Sequence, residues 1–130
     1  MKTDFSYNKK VLKRFAHPKF AGEIENASGV GQVGNAACGD IMRVFLRVED
    51  KTHKIKDIKF KTMGCVAAIA SSDAVCEIAK GKSIKQALRI NKRDILKRVG
   101  SLPQIKHHCS ILGEEALLAA IKDYEKNKKA

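Results

Sequence analysis

Two stretches of strict alternation, followed at once by a change of period, constrain this chain more than any other feature. From Ile41 to Glu49, Val44, Leu46 and Val48 fall on one side of an extended strand, and Arg43, Phe45 and Arg47 on the other. After the polar turn Glu49-Asp50-Lys51-Thr52-His53, residues 55 to 63 repeat the pattern: Ile58 and Phe60 face inward, Lys59 and Lys61 outward. The pair reads as an antiparallel hairpin with one buried face. Beyond Cys65 the period becomes helical. Val66 to Lys80 is an alanine-rich helix closed by Gly81.

The rest of the chain supplies helices to cover that face. Residues 4 to 17 read as a helix with Asp4 as N-cap, an apolar stripe of Tyr7, Val11, Leu12 and Phe15, and a stop at His17-Pro18. Residues 18 to 36 are glycine-rich. They read as an irregular segment that loosens when the site is empty, with a short edge strand at Val30–Val33. Two short helices, Ser83–Leu88 and Lys92–Val99, break near Asn91. Residues 100 to 106 form a loop, and the last helix begins at Ser110 with a buried stripe of Leu117, Ala120, Ile121 and Tyr124. The 130 residues suffice for one domain, 1–130, with an ordered core from about 4 to 125.

Composition narrows the function. No apolar run approaches the roughly 18 residues of a membrane span, and no secretory signal is visible, so the expected compartment is the cytoplasm. The net charge of +12 invites comparison with nucleic-acid binders. The lysines are scattered, however, and two tyrosines without tryptophan leave little for base stacking, so nucleic acid is not the expected partner.

Four cysteines without a signal argue against a disulfide framework, and no Cys-x-x-Cys occurs. Three of the four stand at junctions. Cys38 precedes Gly39-Asp40 in the loop feeding a strand. Cys65 opens the alanine-rich helix, where the dipole and unpaired N–H groups favour a thiolate. Cys109 follows His107-His108 at the start of the last helix, with Lys106 three residues before it. Cys76 lies eleven residues beyond Cys65, roughly 16 Å along the helix, and reads as buried packing. Three thiolates with an Asp or His would close a four-coordinate zinc shell. The same set could hold an iron–sulfur cluster with an oxygen or nitrogen ligand in place of a fourth thiolate. A mixed shell is more labile than one of four cysteines, which suits a protein that hands its cluster on.

Cys38-Gly39-Asp40, then Lys61-Thr62-Met63-Gly64-Cys65 with Ala68-Ile69-Ala70-Ser71-Ser72, then His108-Cys109-Ser110-Ile111-Leu112 resemble the three signature regions of the IscU/NifU-type iron–sulfur cluster assembly scaffolds. The similarity runs from about Tyr7 to Tyr124 and includes Lys80-Gly81-Lys82-Ser83. It implies a compact two-layer α+β domain of the SufE/NifU-like kind, with helices packed on a three-stranded antiparallel sheet. It also implies that Cys38, Cys65 and Cys109 are cluster ligands and sulfur acceptors, with Asp40 and His108 as exchangeable auxiliary ligands. The implied cargo is a transient [2Fe–2S] cluster built from Fe(II) and persulfide sulfur, with Zn(II) able to take its place.

The implied partners are a cysteine desulfurase and apo iron–sulfur acceptor proteins, and the implied role is that of a scaffold and carrier rather than an enzyme. The short Cys65–Cys109 interval is closer to the IscU branch than to the zinc-dependent SufU branch, whose members would act as sulfur acceptors and transferases. Three positions depart from the family pattern. Leu102-Pro103-Gln104-Ile105-Lys106 stands where Leu-Pro-Pro-Val-Lys is usual, the segment read by a dedicated DnaK-type chaperone. Val66 replaces the usual glycine after the second cysteine, and Ala36-Ala37 replace a proline before the first.

Overall fold

The computed structural model describes residues 9–35, 40–100 and 108–129. Helix α1 (Lys9–Ala16) leads into strands β1 (Gly29–Asn35), β2 (Asp40–Val48) and β3 (Ile55–Met63). Helices α2 (Val66–Ala79), α3 (Ile84–Ala87), α4 (Lys92–Val99) and α5 (His108–Lys129) follow. The strands form one antiparallel sheet in the order β1-β2-β3. The expected α+β class and three-stranded sheet are therefore present. Residues 4 to 8 of the expected first helix, with Tyr7, lie outside the described residues.

The alternation read from the sequence sets the inner face. Met42, Val44, Leu46 and Val48 are buried together with Ile55, Ile58 and Phe60. A register shift between Arg47 and Val48 leaves an extra residue on β3, which is why Ile55 and Ile58, three apart, both turn inward. Phe45 departs from the expected pattern. It lies on the outer face yet is buried, flanked in register by Val30 and Lys59.

Helix α2 is the central rod, buried on nearly every side. Its small residues allow close packing by the sheet, α1, α4 and α5. It ends as the sequence indicates: the Lys80 N–H reaches Cys76 O at 3.0 Å, and Gly81 turns the chain at φ 86°. The chain then pairs with the start of β3, Gly81 N–H donating to Ile55 O and Ile55 N–H to Lys82 O. Ser83 and Asn91 each close a capping box, with Gln86 and Asp94 respectively. Asn91 thus separates α3 from α4 by capping the second.

Helix α1 is held by charge as well as by packing. Val11 is fully buried, but Leu12 and Phe15 of the expected stripe are exposed. Arg14 instead reaches Asp73 at 2.8 Å and Glu77 at 2.9 Å on α2. The Asp73 carboxylate, almost wholly buried, also accepts the Phe20 N–H at 3.0 Å. Arg98 of α4 bonds Glu77 at 2.7 Å, so one carboxylate joins three helices. The two guanidinium groups hold Glu77 below its ordinary pKa, with the Arg14 hydrogen bond the largest cause. Removing Arg14 would strand a buried carboxylate, a change that typically costs about 3–5 kcal/mol.

Strand β1 is longer and more regular than expected. Its glycines have a packing reason. A side chain on Gly29 would collide with Ala120 and Tyr124 of α5, and one on Gly31 with the backbone of Ala116, Ala119 and Ala120. The last helix therefore lies directly on the edge strand, backbone against backbone. Gly31→Ala should destabilise the fold by on the order of 2–3 kcal/mol, because the obstructing atoms are helix backbone and cannot move aside alone. Urea unfolding checks this, and a loss below about 0.5 kcal/mol, the range of an ordinary surface change, would show that α5 is not seated on β1.

Candidate cluster site

The site residues come from three elements, and the direction of each decides whether they meet. Asn35 and Asp40 are the last register pair of the β1–β2 hairpin, and Ile41 pairs with Met63 at the end of β3. Asp40, Met63 and the connection between β1 and β2 thus share one end of the sheet. Cys38 belongs to that connection and lies outside the described residues, between two placed strand ends.

Cys65 follows Met63 by two residues and is the N-cap of α2, in extended backbone at φ −82° and ψ 177°. Its carbonyl accepts the first helical bond, from the Ile69 N–H, at 3.1 Å. The far end of α2 meets Ile55, at the opposite end of the sheet. The helix therefore starts at the end that holds Asp40. Its first turn leaves backbone N–H groups that favour negative charge there.

Helix α5 runs the same way. Gly29 faces Ala120 and Tyr124, whereas Gly31 faces Ala116 and Ala120. Two strand residues span about 6.6 Å and four helical residues about 6 Å, so helix and strand advance together in opposite chain directions. Carried on to Asn35, that correspondence brings the first turn of α5 to the Asp40 end. The other end of α5 agrees: Tyr124 Oη lies 3.3 Å from His53 Nδ1, in the β2–β3 turn. His53 is exposed and at the same time a fixed point. Its N–H bonds Glu49 O, its carbonyl accepts the Ile84 N–H, and its backbone takes a left-handed φ of 56°.

The two helix starts, with Cys65 and Cys109, therefore converge on the end of the sheet that holds Asn35 and Asp40, the described residues on either side of Cys38 in the chain. The last helix begins at His108, two residues earlier than expected, so Cys109 sits inside its first turn rather than ahead of it. Cys109 is fully buried and belongs to the core, whereas Cys65 is partly buried against it. A site built on both would be recessed at its α5 side and open toward Cys65. Met63 beside it is 71% exposed and, with Ile41 and Thr62, borders a shallow cavity of about 370 Å³ on the outer sheet face.

The fourth cysteine behaves as expected. Cys76 is fully buried in the core on α2, and burial pushes its thiol well above the ordinary value, with the nearby Asp73 charge adding to the effect. It keeps its proton and lies eleven residues, roughly 16 Å, along α2 from Cys65. Cys65, Cys76 and Cys109 are not disulfide-bonded. Among the described residues, no three His, Cys, Asp or Glu side chains gather into a metal set. Leu102–Lys106 lies outside the described residues, and no described helix is long and apolar enough to cross a membrane.

Sequence reasoning missed the ionic link among α1, α2 and α4, since Arg14 lies some sixty residues from Asp73 and Glu77 in the chain. Also unforeseen was Ser72, whose hydroxyl bonds Ala68 O at 2.8 Å and the Thr62 hydroxyl at 2.7 Å. That bridge ties the end of β3 to the first turns of α2, on either side of Cys65.

Comparison with known proteins bears on the family and the fold. Residues 6–130 match the family model of the NifU-like N-terminal domain. The iron–sulfur cluster assembly scaffold protein IscU 1 of Archaeoglobus fulgidus is 48% identical over 118 residues, covering 91% of this chain and 76% of that one. The IscU scaffold protein of Aquifex aeolicus is 48% identical over 120 residues, covering 92% and 76%. The crystal structure of FiSufU from Fervidobacterium islandicum, a candidate scaffold of the SUF system, superposes with a TM-score of 0.71 at 24% identity over 88% of this chain and 96% of that one. The last likeness speaks for the fold, and the family model together with the two IscU proteins speaks for descent: this chain belongs to the NifU-like N-terminal domain family.

Proposed function

We propose that this protein is a scaffold on which a [2Fe–2S] cluster is assembled and from which it passes to apo-proteins. Cys38, Cys65 and Cys109 would be its thiolate ligands, and Asp40 and His108 the exchangeable ones. The observation that carries the reading is the convergence of three chain segments: α2 and α5 both start at the end of the sheet where β1 turns into β2. The relatives named as IscU scaffold proteins support it.

The chemistry follows from the donors. Sulfur arrives as a persulfide from a cysteine desulfurase, and a scaffold thiolate attacks its outer sulfur and releases the desulfurase thiolate. Each sulfane sulfur then takes two electrons from a reductant to become sulfide. Fe(II) enters at the same thiolates, and Zn(II) can occupy them in its absence. Cys109 in the core fixes one side of the site. Cys65, partly buried, and Asp40, at a strand end, belong to the side from which a partner would draw the cluster. Carboxylate oxygen is a weaker partner for iron than thiolate, so Asp40 is the ligand to exchange first. The cytoplasm is the compartment proposed.

The test is an anaerobic mixture of the protein with Fe(II), cysteine, a reductant and a cysteine desulfurase, followed by an apo-ferredoxin. Cluster absorption bands should grow and then move to the ferredoxin. Asp40→Ala should give a cluster that lasts longer and transfers several-fold more slowly. A protein that retains zinc, accepts persulfide and never develops cluster bands would instead be a SufU-like sulfur acceptor and transferase. A folded Asp40→Ala protein that transfers at the wild-type rate would remove Asp40 from the exchange step.

A further inference from the structure

A second feature lies at the other end of α2 and does not depend on the cluster reading. The C-terminal end of α2, the start of α1, and α3 and α4 enclose an open cavity of about 590 Å³. Lys10, Lys82, Arg89, Lys97 and Arg98 line it, and Ile78 and Ile90 form its floor. A smaller cavity of about 290 Å³ continues it along α1, sharing Lys10 and Arg98 and adding Lys13, His17 and Lys19. From Cys65 to Ile78 the helix advances roughly 20 Å, so this groove is well removed from Cys65.

The carboxylates of the groove are already committed. Asp73 and Glu77 are bonded by Arg14 and Arg98, and Asp94 accepts the N–H of Asn91 at 3.1 Å. Lys10, Lys82, Arg89 and Lys97 make no ion pair among the described residues. Several unpaired cations around one concavity repel one another and hold a positive potential that an anionic partner relieves. No Phe, Tyr or Trp lines either cavity, and His17 alone offers a ring for base stacking. The aliphatic stems of lysine and arginine, with the two isoleucines beneath them, suit apolar side chains set among acidic ones.

We propose that this groove docks an acidic segment of a protein partner, one that alternates carboxylates with aliphatic residues. Such docking would hold a partner on the chain while leaving the cysteine end open.

The experiment titrates the isotope-labelled full chain, at low ionic strength, with a synthetic peptide of Glu-Asp-Leu repeats, and in parallel with an oligothymidylate of equal charge. Amide shifts from the peptide should gather on α1, α3 and α4. Arg89→Glu combined with Lys97→Glu should weaken peptide binding roughly tenfold. Lys51→Glu combined with Lys126→Glu makes the same change in net charge at exposed positions elsewhere and should weaken it less than about twofold. If the reversed pair disturbs the amide spectrum of the free protein, Arg89→Gln with Lys97→Gln should show the same direction with a smaller loss. Equal weakening by both pairs, shifts centred elsewhere, an absence of binding, or tighter binding of the oligothymidylate at the same residues would each overturn the proposal.

Discussion

The contact between the glycines of β1 and the backbone of α5 orders this molecule. A helix normally stands off a sheet by the length of its side chains. Here Gly29 and Gly31 remove that spacing on the strand, and Ala116, Ala119 and Ala120 remove it on the helix. Backbone packed on backbone has few alternative registers. It fixes both the direction of α5 and how far along the strand the helix starts. Had α5 been inverted on the same strand, Cys109 would lie beside the β2–β3 turn, at the opposite end of the sheet from Cys65.

Helix α2 is the second fixed rod, and it is secured differently. Its small residues let four elements pack around it, and its ends are pinned by separate devices. At its start, Cys65 caps it in extended backbone. Midway, Ser72 bridges to Thr62 of β3, and Asp73 forms with Arg14 a nearly buried ion pair that brings α1 to it. At the end, Gly81 hands the chain to Ile55. The consequence is a division of labour along one helix. Its N-terminus carries Cys65, a proposed ligand, its last turns hold the inert Cys76, and its C-terminus opens into the basic groove.

Much of this was legible in the sequence, and the reasons are specific. The hairpin could be read because alternate residues of Met42–Val48 must face one core, and α2 because Gly81 ends it with the left-handed turn that glycine favours. Cys76 could be assigned to packing because a helix separates it from Cys65 by too great a length. The membership in the scaffold family was visible in three short motifs taken together. What escaped was long-range. The reach of β1 was underestimated because its glycines look like breakers in isolation, and only α5, some ninety residues on, explains them. The stripe on α1 was half wrong: Leu12 and Phe15 are exposed, and Arg14 bonds Asp73 and Glu77 on α2. The start of the last helix was placed at Ser110, two residues late, because histidine and cysteine carry weak helical preference of their own.

The central proposal is geometric: the starts of α2 and α5, at the end of the sheet that flanks Cys38, would bring three thiolates to one point and leave out the fourth. Zinc K-edge X-ray absorption of the zinc-loaded protein counts those thiolates directly, without requiring any cluster to form. The expected shell is three sulfur atoms at about 2.3 Å and one lighter oxygen or nitrogen atom, unchanged in Cys76→Ser and reduced by one sulfur in Cys65→Ser or Cys109→Ser. A shell of two sulfurs or fewer in the wild type, or one that loses a sulfur with Cys76, would contradict the convergence of the three segments.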